Sequence, residues 1–275
     1  MRRVHAFELE DLPWFPPVIR DLATDYLHFF QTRFALHRPA VALLEEALDA
    51  SGAVAIVDLC SGGGGPLPAV QRDLAAAGRH VRARLTDRFP NAPAFEHVTA
   101  ASDGQLTSVE TPVDARAVPA ALTGFRTMFN AFHHFAPADA VAVLRDAAVH
   151  GQPIGVFELP NRSVFTLVPA MFTPIYVWIA TPFIRPFRWR RLLWTYLVPL
   201  VPLTCWWDGI VSMLRAYTPA ELEDLARRTD VPGYTWRAGQ VRIGNTPGVM
   251  TYLIGWRMTE VGDRKNRSLL AAGNW

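Results

Sequence analysis

Asp58 closes the apolar run Val54–Val57, and after Leu59, Cys60 and Ser61 come four consecutive glycines, Gly62 to Gly65, and then Pro66. A strand ending in an acid, a glycine loop and a helical pattern from Leu67 together suit ligand binding. Glycines accept positive φ and let a ligand approach the backbone, and the start of a helix offers unpaired N–H groups. A structural turn or a dinucleotide site would also produce such a loop. Its contiguous glycines do not have the G-x-G-x-x-G spacing of a nicotinamide fingerprint. A second acid, Asp87, ends the next apolar run, Val81–Thr86. Further on, His133 and His134 follow Asn130 and the run Phe125–Phe129, and a neutral imidazole there could take a proton from a reacting group. The alternative for one of the pair is a structural histidine. Asp208, a lone acid in Cys205-Trp206-Trp207-Asp208-Gly209, is the second candidate base, with a helix cap as its other reading.

The stretch Ile56-Val57-Asp58-Leu59-Cys60-Ser61-Gly62-Gly63-Gly64 resembles the first motif of class I S-adenosylmethionine-dependent methyltransferases. That motif runs hydrophobic, hydrophobic, Asp, hydrophobic, Gly or Cys, any residue, Gly, any residue, Gly; Ser61 stands where many members have Gly. The resemblance spans about residues 53–159 and resumes near 218. It implies S-adenosylmethionine as cofactor, held around Asp58, Cys60, Ser61, Gly62 and Gly63. It further implies that Asp87 binds the ribose hydroxyls, and that Asp114 reaches the adenine amino group with the backbone of Ala115 beside it. Asn130 with the histidine pair resembles the family's fourth motif, which faces the sulfonium. Cys60 is expected to pack or line this site rather than act as a nucleophile.

These residues need a scaffold that brings strand ends together. Strands are expected at residues 54–58, 81–86, 106–110, 125–129 and 154–159, with helices at 67–77, 92–100 and 137–150 between them. Gly78 is placed to cap the first of these helices. This alternation predicts an α/β, doubly wound, Rossmann-like sheet. Thr218-Pro219-Ala220-Glu221 is a capping box opening another helix, and residues 234–242 and 249–256 read as a final antiparallel pair. Before the sheet, helical spacing predicts two helices, at about 18–36 and 39–48. They either cover the site, with Tyr26 and Phe30 against the substrate, or form a packing layer.

Residues 160–217 break the pattern. Two uncharged runs, 164–184 and 192–207, flank Arg185, Arg188, Arg190 and Arg191, and no acid lies between Glu158 and Asp208. The first run has the length of a membrane span, but Pro169, Pro174 and Pro182 interrupt it. We expect a hydrophobic helical lid over the substrate, with Tyr196, Trp206 and Trp207 as substrate contacts. The alternative is a hairpin that also docks on a membrane surface. The domain plan is therefore a helical cover (1–52), a cofactor-binding core (53–159), the lid (160–217), the end of the sheet (218–258) and a polar tail (259–275).

Twenty-seven basic and 25 acidic residues leave a formal charge of +2, which gives no sign of a nucleic-acid partner. Two cysteines without metal-ligand spacing predict neither a disulfide framework nor a metal. Glu8, Glu10 and Asp11 interrupt any signal-peptide core, so a cytoplasmic protein is expected, with the inner face of the membrane as a peripheral alternative. The expected activity is methyl transfer to a small hydrophobic or aromatic acceptor. The rivals are cyclisation or aminocarboxypropyl transfer with the same cofactor, and a membrane-docked binding protein with a degenerate cofactor site.

Overall fold

The computed structural model describes residues 1–246 and 248–257. Pro247, Met258 and the tail expected from residue 259 lie outside the described residues. The centre is a seven-stranded sheet of order β3-β2-β1-β4-β5-β7-β6. Its strands are β1 (Ala55–Asp58), β2 (Arg82–Leu85), β3 (Leu106–Ser108), β4 (Phe125–Phe129), β5 (Ile154–Glu158), β6 (Tyr234–Arg242) and β7 (Val249–Arg257). All pairings among β1 to β5 are parallel, and β7 runs antiparallel between β5 and β6. The strand order reverses at β1 and β4, which opens a crevice at their carboxyl ends. This is the doubly wound sheet that the alternating pattern predicts, closed by the expected antiparallel pair.

Each face has its own core. One is covered by α2 (Arg38–Ser51) and α3 (Leu67–Ala76), where Leu44, Leu48, Val70 and Leu74 pack on Ile56, Phe125 and Ile254. The other is covered by α5 (Pro137–Val149) and α10 (Pro219–Arg227), where Val143, Leu144 and Leu222 pack on Met128, Val156 and Leu253. Helix α4 (Ala92–Ala100) links β2 to β3, and Asn91 caps it by accepting from the Ala94 N–H. Helix α3 ends as expected: Gly78 takes φ +85°, and Arg79 N–H bonds back to Leu74 O. The capping box of α10 is present, with Thr218 and Glu221 bonded reciprocally. Arg126 is an exception in the core of β4. It is fully buried, and its charge is met by Asp146 of α5 at 2.6 Å.

The two N-terminal helices have different tasks. Helix α2 belongs to the sheet face, whereas α1 (Pro17–Arg33) joins the insertion. The insertion contains α6 (Val164–Ala170), α7 (Thr173–Ala180), α8 (Trp189–Leu192), a π-helical turn (Leu193–Leu197) and α9 (Leu200–Arg215). Ile19, Leu22, Ala23 and Tyr26 of α1 form a third cluster with Val177, Ile184, Val201 and Cys205. The prolines break both uncharged runs. Helices α6 and α7 meet at a 55° bend, and the stretch Trp189–Leu197 meets α9 at 75°. Among the described residues no single helix is long and apolar enough to cross a membrane.

Candidate active site

The candidate residues converge on the carboxyl edge of the parallel strands. Asp58, at the end of β1, is buried and accepts from Ser61 Oγ at 2.7 Å and from Thr127 Oγ1 at 2.6 Å. Thr86 N–H donates to the Asp58 carbonyl and Ser61 N–H to the Thr86 carbonyl, which ties the loop to the end of β2. Burial pushes the Asp58 carboxyl up to about 7 against the pull of those two hydroxyls. Its side chain thus fixes the glycine loop from beneath. Ser61, where the resembled family often has Gly, serves as the pin, and positive φ falls on Cys60, Gly62, Gly64 and Gly65 instead. Burial raises the Cys60 thiol above its ordinary range, so it is no nucleophile at neutral pH.

Asp87 stands half-buried opposite the loop. Its Oδ2 accepts the Gly62 N–H at 2.8 Å and its Oδ1 the Phe89 N–H at 2.8 Å. Each carboxylate oxygen has further lone-pair capacity. Among the described residues a Cβ at Gly62 would meet nothing within 4 Å, so open space adjoins this backbone. Helix α1 passes close by: a Cβ at Gly63 would lie 4.0 Å from Thr24 Cγ2. The loop after β3 joins the group through Val113 N–H, which donates to Asp87 O at 2.8 Å. Ala115 is buried beside it. Both oxygens of Asp114 are taken by Arg116, which holds its carboxyl down to about 2. An adenine amino group would have to share this acid with a guanidinium. Asn130 follows β4 at φ +51°, and its Oδ1 accepts the Leu159 N–H, bridging the ends of β4 and β5.

Phe132–His134 forms a short 3₁₀ turn after β4. His133 is buried, and its Nδ1 lies 2.5 Å from Glu158 Oε2, while Glu158 Oε1 accepts the Phe132 N–H. In the neutral tautomer that donates Nδ1–H to Glu158, Nε2 carries the lone pair; among the described residues it is buried without a hydrogen-bond partner, 3.8 Å from Glu8 Oε1. His134 is more exposed. Its Nδ1 lies 3.1 Å from Asp11 Oδ1 and its Nε2 3.6 Å from Glu8 Oε2. Burial pushes Glu8 up to about 6, opposed by the charges of His134 and Arg215. Arg215 Nη1 lies 3.2 Å from Glu8 and 2.7 Å from Asp11. Glu8, His133 and His134 bring three ligating atoms within 4.8 Å of one another, a set that could hold a metal ion. The fixed charge of Arg215 against Glu8 disfavours a cation there, which leaves a buried imidazole oriented by a carboxylate.

Glu8, Asp11, Glu158 and Arg215 were not site candidates from sequence. The first eleven residues form a strap over the histidine turn. Arg3 donates to the carbonyls of His133 and Phe135, and Val4 N–H bonds to Leu214 O. The strap also resolves Asp208, which lies within α9 and not at its end. Its two oxygens accept the N–H groups of Leu9 and Glu10 at 2.7 and 3.1 Å, which leaves neither aimed at a reacting proton. Trp207 likewise donates to Phe7 O and packs against the Phe7 ring; Trp206 is half-buried on the same helix. Tyr26 is buried in the cluster of α1, α7 and α9, with the Phe30 ring tilted beside it. Tyr196 is exposed and donates to Trp178 O. Of the expected substrate contacts, Tyr26, Tyr196 and Trp207 thus make structural bonds or packing.

No protein-family model matches the chain, and no curated protein matches it by sequence. Solved structures do match its fold. The structure titled "PigF with SAH" superposes with a TM-score of 0.52 at 17% identity, over 91% of this chain and 62% of that one. The S-adenosylmethionine-dependent methyltransferase SibL in its apo form gives 0.49 at 15% identity, over 94% and 63%. The pyocyanin biosynthetic protein PhzM gives 0.49 at 15%, over 83% and 56%. The chain therefore spans about six tenths of the length of these structures. At such identity the PigF likeness establishes the fold alone, a doubly wound α/β sheet, which is the fold that the resemblance drawn from the first motif implies.

Proposed function

We propose that the chain is an S-adenosylmethionine-dependent methyltransferase acting on a small hydrophobic or aromatic acceptor. The observation that carries the reading is the glycine loop, pinned from below by Asp58, Ser61 and Thr127 and flanked by Asp87, at the point where the strand order reverses. Open space beside Gly62 and the spare acceptor capacity of Asp87 fit a ribose diol there. PigF, the neighbour of like fold, is titled with SAH, which supports the same ligand class. Bound in this crevice, the cofactor supplies an electrophilic methyl group on a sulfonium.

The chain's own contribution is positioning, exclusion of water and proton transfer. Glu158 holds the His133 ring through Nδ1–H and leaves Nε2 free to take the proton of an acceptor hydroxyl. Glu8, 3.8 Å away, marks the place the acceptor would enter, so the strap must shift for the substrate to be seated.

The test is to incubate the protein with methyl-labelled S-adenosylmethionine and a panel of hydroxylated aromatic acceptors. Label should pass to an acceptor with release of S-adenosylhomocysteine. Release of methylthioadenosine instead would exclude methyl transfer. His133→Ala should lower turnover by roughly 10²–10⁴ with cofactor affinity retained. Full activity in that variant would remove His133 from the chemistry.

A further inference from the structure

The insertion has an outer surface that the site does not use. About two thirds of the exposed large apolar side chains among the described residues fall within residues 164–203, about a seventh of the chain. Phe165 is 78% exposed, Ile179 63%, Phe183 65%, Trp189 77% and Leu197 77%. These elements are not loosely placed. Trp178 Nε1 donates to Thr195 O, Tyr196 OH donates to Trp178 O, and Val177, Ile184 and Val201 fill the cluster against α1. The inner side of the insertion is therefore packed against α1, and its outer side is apolar as well. That is unlike a helical layer on a soluble surface.

We propose that residues 164–203 dock on the surface of an anionic lipid bilayer. Charge selects this occupant. Arg185, Arg188 and Arg190 are exposed on the segment between the two apolar arms, Arg188 with its Nη1 3.4 Å from Asp25 Oδ2, and no acid occurs from residue 159 to 207. Arg191, by contrast, is buried and tied to Asp25, Ile184 O and Pro186 O, so it shapes the segment and does not face outward. Phe187 and Trp189 pack edge to face beside these arginines, giving the aromatic and basic rim of an interfacial element. A second copy of the chain fits less well. A two-fold contact would set the arginines of one copy against a surface whose own residues 159–207 offer no carboxylate. The 55° and 75° bends break both apolar arms, so neither is a straight crossing.

The test mixes the whole protein with vesicles of equal parts phosphatidylglycerol and phosphatidylcholine, or of phosphatidylcholine alone, and reads co-sedimentation and tryptophan emission. The protein should sediment with the mixed vesicles, more weakly with the neutral ones, and its emission should shift to the blue. The double variant Arg185→Gln/Arg190→Gln should bind the mixed vesicles about 25-fold more weakly, at about fivefold for each arginine. Phe165→Glu/Trp189→Glu should lose binding while keeping the parent's melting temperature. Absence of binding to mixed vesicles would overturn the proposal, as would binding by both variants as tight as the parent's. So would a lipid-free dimer, seen by sedimentation velocity, that Phe165→Glu dissociates while vesicles bind neither form; a second copy would then be the occupant.

Discussion

At the scale of single residues, the acids of this chain divide by what their oxygens hold. Asp58 binds the hydroxyls of Ser61 and Thr127, and Asp208 binds two backbone N–H groups of the strap. Asp87 keeps acceptor capacity toward the open crevice. The burial of Asp58 has a consequence for stability. Its carboxyl is raised from 3.8 to about 7, so the folded chain holds a proton that the unfolded chain has released over that interval. This contribution is complete below the unfolded value and is lost as pH rises toward 7. Asp58→Asn cannot titrate. Urea unfolding should therefore show a shallower fall in stability between about pH 4 and pH 7 for the variant than for the parent. Parallel slopes would show that Asp58 is already ionised in the fold. The role of Asp58 was only partly legible from sequence. The motif placed it at the loop, but its hydroxyl partner Thr127 lies on another strand, beyond the reach of any local pattern.

At the scale of elements, local signals served where they were strong. The all-apolar ends of β4, the glycine cap of α3 and the capping box of α10 all appear where turn and cap chemistry put them. The strap did not announce itself. Glu8 and Arg215 pair across about two hundred residues, and in the sequence the acids of the strap look only like interruptions of an apolar leader. The insertion is helical as expected, but Trp178 and Tyr196 bond to carbonyls within it and Trp207 bonds to the strap. Strand β4 carries a similar long-range bargain between Arg126 and Asp146, at 2.6 Å with Arg126 only 1% exposed. Removing one partner leaves a buried charge without compensation, so Asp146→Ala should destabilise the fold by ~3–5 kcal/mol. Arg126→Met combined with Asp146→Ala should recover much of that loss. Denaturant midpoints that are equal for the single variant and the parent would mean that water reaches the guanidinium.

At the scale of the whole molecule, the strand order places four loop ends at one edge, and the chain's chemistry collects there. The loop after β1 and Asp87 after β2 form one half of the crevice. Asn130, His133 and Glu158 at the ends of β4 and β5 form the other, with α1 and the strap above them. In the proposed function these tasks are separated: the cofactor would be held on the β1–β2 side and the proton taken on the β4–β5 side, while the apolar insertion faces outward. The doubly wound fold was legible because alternating strands and helices leave few topologies to choose among. The most direct measurement is calorimetric titration of the purified chain with S-adenosylhomocysteine and, separately, with NAD. Saturable one-to-one binding of S-adenosylhomocysteine and no binding of NAD are predicted. Asp87→Ala should weaken the former by ~2–4 kcal/mol through loss of two charge-assisted hydrogen bonds. Saturable binding of NAD with none of S-adenosylhomocysteine would contradict the account.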